Sequence, residues 1–414
     1  MTADTSSRIA AMDMLRGCAV LGILWMNVSA FALPGAAYFN PAATGPLTTG
    51  DIGVWTISLV AVDGKMRALF SMLFGASMLL LIEREEKAGR DGRRAHLIRA
   101  AWLFVLGLAH YLLLWWGDIL MNYAVVGCVA LLFIRQEPFA LMKSALLAFF
   151  LHILLCGAFV AALYAWSHAA AAPDAIPAVR EGYAAFIAGY EPGSPAIAAE
   201  IATYRGPLSG IVADHLASYP LQWLQALPFN TFDTLGFMLL GMAMLKGGFL
   251  TGRWDGEQYW RTARHCFLIG LPPMAALAVW AILSGFAPLT MHGILLLWSF
   301  PLRIPLSVGW AALLLWLFTR QGGHVLIARL IAAGRMALSN YLGSSLIMTA
   351  IFYGWGLGLF ARITPAGLPL FVIGAWVAIL LWSPAWQKRF ASGPAEWLWR
   401  SLARGQWQKI RRNA

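Results

Sequence analysis

Residues 144–167 read SALLAFFLHILLCGAFVAALYAWS, without a single charged side chain. As a helix rising 1.5 Å per residue this stretch covers roughly 36 Å, enough to cross a hydrocarbon core about 30 Å thick. No soluble helix needs an apolar run of that length, and the stretch has company. Apolar segments of similar kind fall at about 12–33, 66–82, 97–116, 119–134, 222–245, 265–286, 291–318, 336–360 and 367–386. With 144–167 they make ten, so the expected fold is all-α: a polytopic membrane helical bundle of about ten transmembrane helices.

Composition agrees. Of 414 residues, 60% are hydrophobic and 12% charged, where a soluble domain carries about 25% charged residues. The formal charge is +11, which in a soluble chain would suggest nucleic acid; here the positive-inside rule accounts for it and no nucleic-acid partner is expected. Most Lys and Arg fall on one side of the ten segments, from Arg84 to Arg99, from Lys246 to Arg264 and from Lys388 to Arg412. This predicts that both termini are cytoplasmic and that the chain is a multi-pass membrane protein. Although Arg8 followed by an apolar stretch resembles a secretory signal, Asp13 and Arg16 interrupt the place where such a signal needs unbroken apolar residues.

Residues 1–386 are therefore read as the bundle and 387–414 as a cytoplasmic amphipathic tail carrying Glu396-Trp397-Leu398-Trp399-Arg400. Residues 52–62, cut off from the second span by Asp63-Gly64-Lys65, read as an interfacial helix. The outer stretch 168–221 reads as a small helical cap. Cys18, Cys128, Cys156 and Cys266 all sit in or beside apolar runs, so neither a disulfide nor a thiolate metal site is expected. The eight histidines lack ligand spacing, and no metal is expected.

Ionisable residues inside apolar helices are expensive and point to function. Asp13 and Arg16 are three apart and can pair, and Asn27 lies eleven residues beyond Arg16, on the same helical face. These three form a stripe that reads either as the lining of a site or as packing. His110 lies near the outer end of the third span, and Gly117-Asp118 turns the chain into a helix opening with Asn122 and Tyr123. Eight residues separate His110 from Asp118, so the two can hydrogen-bond only if the chain folds back at Gly117. On the same outer side fall Asp233 and His292. Arg303 sits between Pro301 and Pro305 in a kinked span, and Arg335 with Asn340 opens the ninth. No nucleotide-binding loop, His-Glu-x-x-His, nucleophile elbow or dinucleotide fingerprint is present.

The string from Arg8 through Asp13-Met14-Leu15-Arg16-Gly17 to Asn27 resembles the opening of the YeiB family, bacterial inner-membrane proteins known as a domain of unknown function. The resemblance continues at Leu69 to Gly75, at His110 with Gly117-Asp118-Ile119-Leu120, at Gly334 to Tyr341 and at Gly393 to Arg400. That family is grouped with transmembrane acyltransferases such as heparan-alpha-glucosaminide N-acetyltransferase. The grouping implies a scheme in which acyl-coenzyme A enters from the cytoplasm and an acceptor, a small molecule, lipid or glycan, is acylated on the far side. Carried over by position, Asp13, Arg16 and Asn27 would hold structure or line the donor site, and His110 with Asp118 would form the outer reacting end.

Two functions follow. In the first, an acyl group passes to an outer hydroxyl or amine, with His110 or His292 as base and Asn27, Asn122 or Tyr123 donating to the oxyanion. The second is a transporter of a small metabolite, motivated by the kinked span with its buried Arg303. Asp233, Arg335 and Asn340 are lining candidates in either. The assembly expected is a homodimer. Both readings assume one hydrated path that touches Asp13, Arg16, Asn27, His110 and Asp118.

Overall fold

A computed structural model describes residues 3–218 and 221–411, with side chains from residue 9 onward; Arg8 and Arg412, counted among the basic residues above, have side chains outside that description. The first helix, α1 (Ala3–Ala32), is followed by α2 (Thr49–Ile57), a π-type turn over 58–62, and α3 (Lys65–Lys87). Then come α4 (Gly92–Leu113), α5 (Leu120–Ala130) and α6 (Pro138–Ala171). Three short helices, α7 (Pro177–Ala188), α8 (Pro195–Tyr204) and α9 (Leu208–Ser218), occupy the stretch read from sequence as a cap. The second half holds α10 (Gln222–Lys246), α11 (Gly256–Leu283), α12 (Phe300–Gln321), α13 (Val325–Arg335), α14 (Ala337–Phe352), α15 (Leu368–Gln387) and the tail helix α16 (Pro394–Arg404).

Among the described residues, seven helices are long and apolar enough to cross a membrane, and eight if α13 and α14 count as one bent span. The ten expected segments all fall on helix, but three are not simple rods. The segment 119–134 gives a helix too short to span. The segment 291–318 is interrupted by a π-type turn at Gly293–Trp298 ahead of α12. The segment 336–360 ends as helix at Phe352, and its start turns 85° from α13. Hydropathy registers apolar length without seeing breaks; the segment 222–245 is unbroken helix yet is not among the seven, its first half carrying Asn230 and Asp233.

The apolar runs divide by face. On α6, Ala145, Phe149, His152, Cys156 and Val160 are buried, whereas Leu146, Leu147, Phe150 and Leu154 are exposed. An exposed face as apolar as the buried one suits lipid, not water. α10 lies at the centre and buries every residue from Asp233 to Leu245. It crosses α3 where glycine faces backbone: a Cβ on Gly241 would lie 2.0 Å from the Met72 carbonyl oxygen, and one on Gly75 2.2 Å from that of Met238. α1 meets α13 the same way, Gly17 against the Leu330 carbonyl and Gly334 against that of Asp13, at 2.1 and 1.8 Å. Close contact through small residues is how membrane helices gain packing without a hydrophobic drive, and it fixes Asp13 next to Arg335.

Candidate functional site

Asp13 is buried and its two oxygens are shared between helices. Oδ1 accepts from Arg16 Nη1 at 2.7 Å, and Oδ2 from Arg335 Nε at 3.1 Å. Arg16 Nη2 also donates to Ser77 Oγ on α3, at 2.9 Å. One carboxylate thus orients two guanidinium groups from different helices, and the buried Asp13 is itself paired, while Arg335 stays half exposed.

Those cations stand at the mouth of a cavity of about 280 Å³ bounded by α1, α3, α4, α5, α13, α14 and α16. Its walls follow helical spacing: Arg16, Val20 and Ile23; Phe70, Phe74, Ser77 and Leu81; His96, Arg99 and Leu103. Arg99 and Arg400 join Arg16 and Arg335 at one end, while Phe70, Tyr123 and Tyr341 close the other. From Arg16 to Ile23 is about 10 Å along α1, and from Leu81 to Phe70 about 16 Å along α3. The cavity is therefore roughly half a bilayer deep, cationic outside and apolar within. His96, buried at its wall, bonds the Gly127 carbonyl at 3.2 Å.

At the closed end, Tyr123 bonds Ser71 Oγ at 2.8 Å and donates to the Arg67 carbonyl at 3.2 Å. Tyr341 Oη accepts from the Ile119 backbone N–H at 3.3 Å. Behind Tyr341, with ring centroids 5.4 Å apart, stands His110. The chain does fold back: Leu114 and Trp115 both donate to the His110 carbonyl, ending α4, and Asp118 returns against the α4 face at Gly107. A Cβ on Gly107 would lie 2.8 Å from Asp118 Oδ1, so glycine clears the space for the carboxylate. His110 Nδ1 bonds Asp118 Oδ2 at 2.8 Å, and Asp118 Oδ1 accepts from the Met121 N–H at 2.9 Å. In a neutral imidazole that gives Nδ1–H to the carboxylate, Nε2 carries the lone pair. That nitrogen is buried and has no hydrogen-bond partner, nor does the indole N–H of Trp115, whose ring lies 6.1 Å from His110.

On the other side of His110 lies the cap. Between α7, α8, α9 and residues 35–39 is a second cavity of about 590 Å³, bordered by Phe186, Glu200, Thr203, Tyr204 and Asp214. Glu200 accepts from the Gly35 N–H at 2.9 Å; burial raises its carboxyl pKa against that bond, and Asp214 adds to the rise. His215 Nδ1 donates to the Leu112 carbonyl at 3.3 Å, two residues from His110, and its Nε2 accepts from Tyr204 at 3.0 Å.

The remaining candidates from the sequence are placed apart from the first cavity, and among the described residues that cavity touches Arg16 but not the other four residues of the path assumed above. Arg16, Tyr123 and Arg335 line the cavity; Asp13 stands behind them, and His110 and Asp118 stand beyond Tyr341. Asn27 is half-buried on the next turn after Ile23, where the lining has ended. Asn122 turns to α10 and donates to Thr234 Oγ1 at 2.9 Å. Asp233 pairs with Arg67. His292 uses both ring nitrogens, Nδ1 on the Pro288 carbonyl at 2.7 Å and Nε2 on Tyr190 at 3.3 Å, and stacks on Phe39. Arg303 pairs with Asp63 at 3.1 Å and donates to the Leu295 carbonyl at 2.8 Å. Asn340 donates to the Ala333 carbonyl across the α13–α14 bend at 2.9 Å and accepts from the Trp382 indole at 2.9 Å. Residues that sequence reasoning left out of the site are Arg67, Ser77, Arg99, Tyr341, Glu396, Trp399 and Arg400. Of these, Arg99 and Arg400 had been absorbed by the charge-asymmetry argument.

Similarity to known proteins is extensive but carries no named activity. A family model described as "Protein of unknown function (DUF418)" matches residues 244–406. The chain is 33% identical over 406 residues to the uncharacterized protein YeiB of Escherichia coli, covering 95% of this chain and 96% of that one. It is 29% identical over 412 residues to the uncharacterized protein YxaH of Bacillus subtilis, covering 98% and 96% respectively. No solved structure matches.

Proposed function

The chain belongs to the YeiB/DUF418 family, and from that premise we propose that it is a multi-pass inner-membrane acyltransferase with about ten crossings and both termini in the cytoplasm. Its donor is acyl-coenzyme A from the cytoplasm and its acceptor a hydroxyl or amine on the periplasmic side, on a small molecule, lipid or glycan. The orientation rests on the crowding of Lys and Arg on one side of the apolar segments, the side that carries the four arginines of the cavity mouth.

The observation that carries the reading is the position of His110. It is a histidine oriented by a carboxylate, with Nε2 unpartnered, set one aromatic ring beyond the apolar end of a cationic-mouthed cavity. The cations suit the phosphates of the donor, and the apolar barrel suits its pantetheine arm and acyl group. His110 Nε2 takes the proton of the acceptor O–H or N–H as that atom bonds to the acyl carbon. The C–S bond then breaks, and the proton passes to the leaving thiolate, giving ester or amide plus free coenzyme A. Asp118 holds the tautomer and stabilises the imidazolium. His292 lacks a free nitrogen, which favours His110 as base. Arg303, whose burial in a kinked span motivated the transport reading, is bonded to Asp63 and to the Leu295 carbonyl, which supports the first reading over transport.

The test is release of free thiol from acyl-coenzyme A by the protein in proteoliposomes supplied with a bacterial membrane extract as acceptor. His110→Ala should lower release by about 10²–10⁴-fold while coenzyme A binding persists. Full transfer by that variant, or no coenzyme A binding by the native protein, refutes the reading.

A further inference from the structure

Of the tail sequence Gly393 to Arg400 only the Arg400 cation enters the reading just outlined, yet its other distinctive residues also converge on the cavity mouth. Glu396 is buried in an otherwise basic tail. Its Oε1 accepts from the backbone N–H groups of Leu338 and Ser339, at 2.7 and 3.1 Å, and its Oε2 accepts from the Ser339 hydroxyl. Those N–H groups belong to the first turn of α14, where they lack helical partners, so a carboxylate from the end of the chain caps a helix some 60 residues earlier. Ser339 Oγ in return accepts from the Ala395 N–H at 3.0 Å. A Cβ on Gly393 would lie 2.2 Å from Glu396 Oε2 and 2.5 Å from Ser339 Oγ, so glycine keeps this lock open to the carboxylate.

One turn on, the Trp399 indole donates to the Arg99 carbonyl at 2.8 Å, and the Arg99 guanidinium lies 4.3 Å from its ring centroid. Trp399 and Arg400 thereby become part of the cavity wall. The rest of the tail closes on itself: Trp397 donates to the Gln408 carbonyl at 2.7 Å, and the Gln408 N–H to Ser401 Oγ at 3.1 Å. α16 is thus a self-braced unit, docked on the bundle through Glu396 and Trp399.

The geometry points to α16 as a removable wall of the donor cavity: Glu396 is the positioning residue that brings Trp399 and Arg400 to the mouth, and its release opens that side. Glu396 is the carboxylate at a mouth otherwise carrying Arg16, Arg99, Arg335 and Arg400, and the α14 N-terminus already engages it. Arg400 is then left to face a phosphate-bearing ligand. The identity of that ligand rests on the acyl-coenzyme A reading above; the wall itself does not.

The full chain in nanodiscs, carrying Ser77→Cys inside the cavity, tests this by the rate of reaction with a charged maleimide, followed at the peptide containing position 77. Glu396→Ala should speed the reaction at least about fivefold, with Glu396→Gln in between, because the docked wall then opens more often. Trp399→Phe, which keeps the ring but loses the bond to the Arg99 carbonyl, should also speed it and decides the matter if Glu396→Ala does not fold. Coenzyme A should slow the reaction in the native background, and Glu396→Ala and Arg400→Ala should each weaken its binding roughly tenfold, whereas Arg404→Ala should not. An unchanged rate in folded Glu396 and Trp399 variants overturns the wall. If those variants react faster but coenzyme A protects none of them, the wall stands and the donor reading falls; protection without acceleration gives the reverse.

Discussion

Replacing Asp63 by Asn should cost more than almost any other single polar substitution in this bundle. Asp63 and Arg303 are joined at 3.1 Å with side chains only 11% and 9% exposed, and they connect the break before α3 to α12, 240 residues later. A Cβ on Gly64, whose φ is +73°, would lie 2.6 Å from Arg303 Cδ, so the turn is shaped around the guanidinium. Loss of one member of a buried pair costs about 3–5 kcal/mol, chiefly from the charge left behind. Arg303 would keep its bond to the Leu295 carbonyl, which places Asp63→Asn near the lower end, at about 3 kcal/mol. Arg303→Met should cost less, about 2 kcal/mol, because an unpaired carboxyl can protonate and still bond Tyr38. The double variant should cost less than the sum by at least about 2 kcal/mol. Denaturant unfolding in mixed micelles, read by tryptophan fluorescence over the four-protein cycle, gives the coupling. Strict additivity, or an Asp63→Asn cost under about 1 kcal/mol, would show that Arg303 is not held by this pair and would restore it as a free cation for cargo.

Asp118→Asn keeps the shape of the dyad but lets the imidazole adopt the other tautomer, so acyl transfer should fall by about 10²–10⁴-fold with coenzyme A affinity unchanged; equal loss of both would point to a structural role. His292→Ala should alter transfer by less than about threefold, since both of its nitrogens are already bonded, and a loss comparable to that of His110→Ala would transfer the base to His292. Gly334→Ala should destabilise the bundle by at least about 2 kcal/mol, because its methyl meets the Asp13 carbonyl at 1.8 Å; a neutral effect in micelle unfolding contradicts the α1–α13 contact. In the cap, Glu200 has a raised folded-state pKa, so the folded state binds its proton more tightly than the unfolded chain does. Its contribution is then most favourable below the unfolded value of about 4.3 and declines as pH rises through the folded one. Amide exchange over Pro195–Tyr204 should be better protected, after correction for intrinsic rates, near pH 5 than near pH 8. Glu200→Gln should flatten that difference, and a persistent difference would assign it elsewhere.

The membrane character and the helical content of 168–221 and of the tail were legible because each is a property of composition within one segment. Breaks were less so. The 85° turn between α13 and α14 has no proline at its corner; it is held by Asn340 reaching back to Ala333 and by Glu396 capping from the tail. Neither contact leaves a trace in local hydropathy. The pair Asp13–Arg16 was readable from its spacing of three, but the third member, Arg335, required knowing that Gly17 and Gly334 bring α1 and α13 into backbone contact.

For the site, the difference between His110 and His292 shows where sequence reading stops. Both lie near the outer ends of apolar segments, and both are buried. Only the turn at Gly117, with Gly107 clearing room for Asp118, gives His110 a carboxylate on one nitrogen and nothing on the other. His292 sits one turn from the Pro288 carbonyl and opposite Tyr190, a residue of the cap 102 positions away, and so spends both nitrogens on packing. A base is defined by an unspent lone pair, and hydrogen-bond occupancy is set by tertiary neighbours rather than by residue type. The same logic explains Arg99 and Arg400. As isolated cations they read as orientation signals, but Trp399 places them together at the cavity mouth, so that residues which serve topology also supply the charge that an anionic ligand needs.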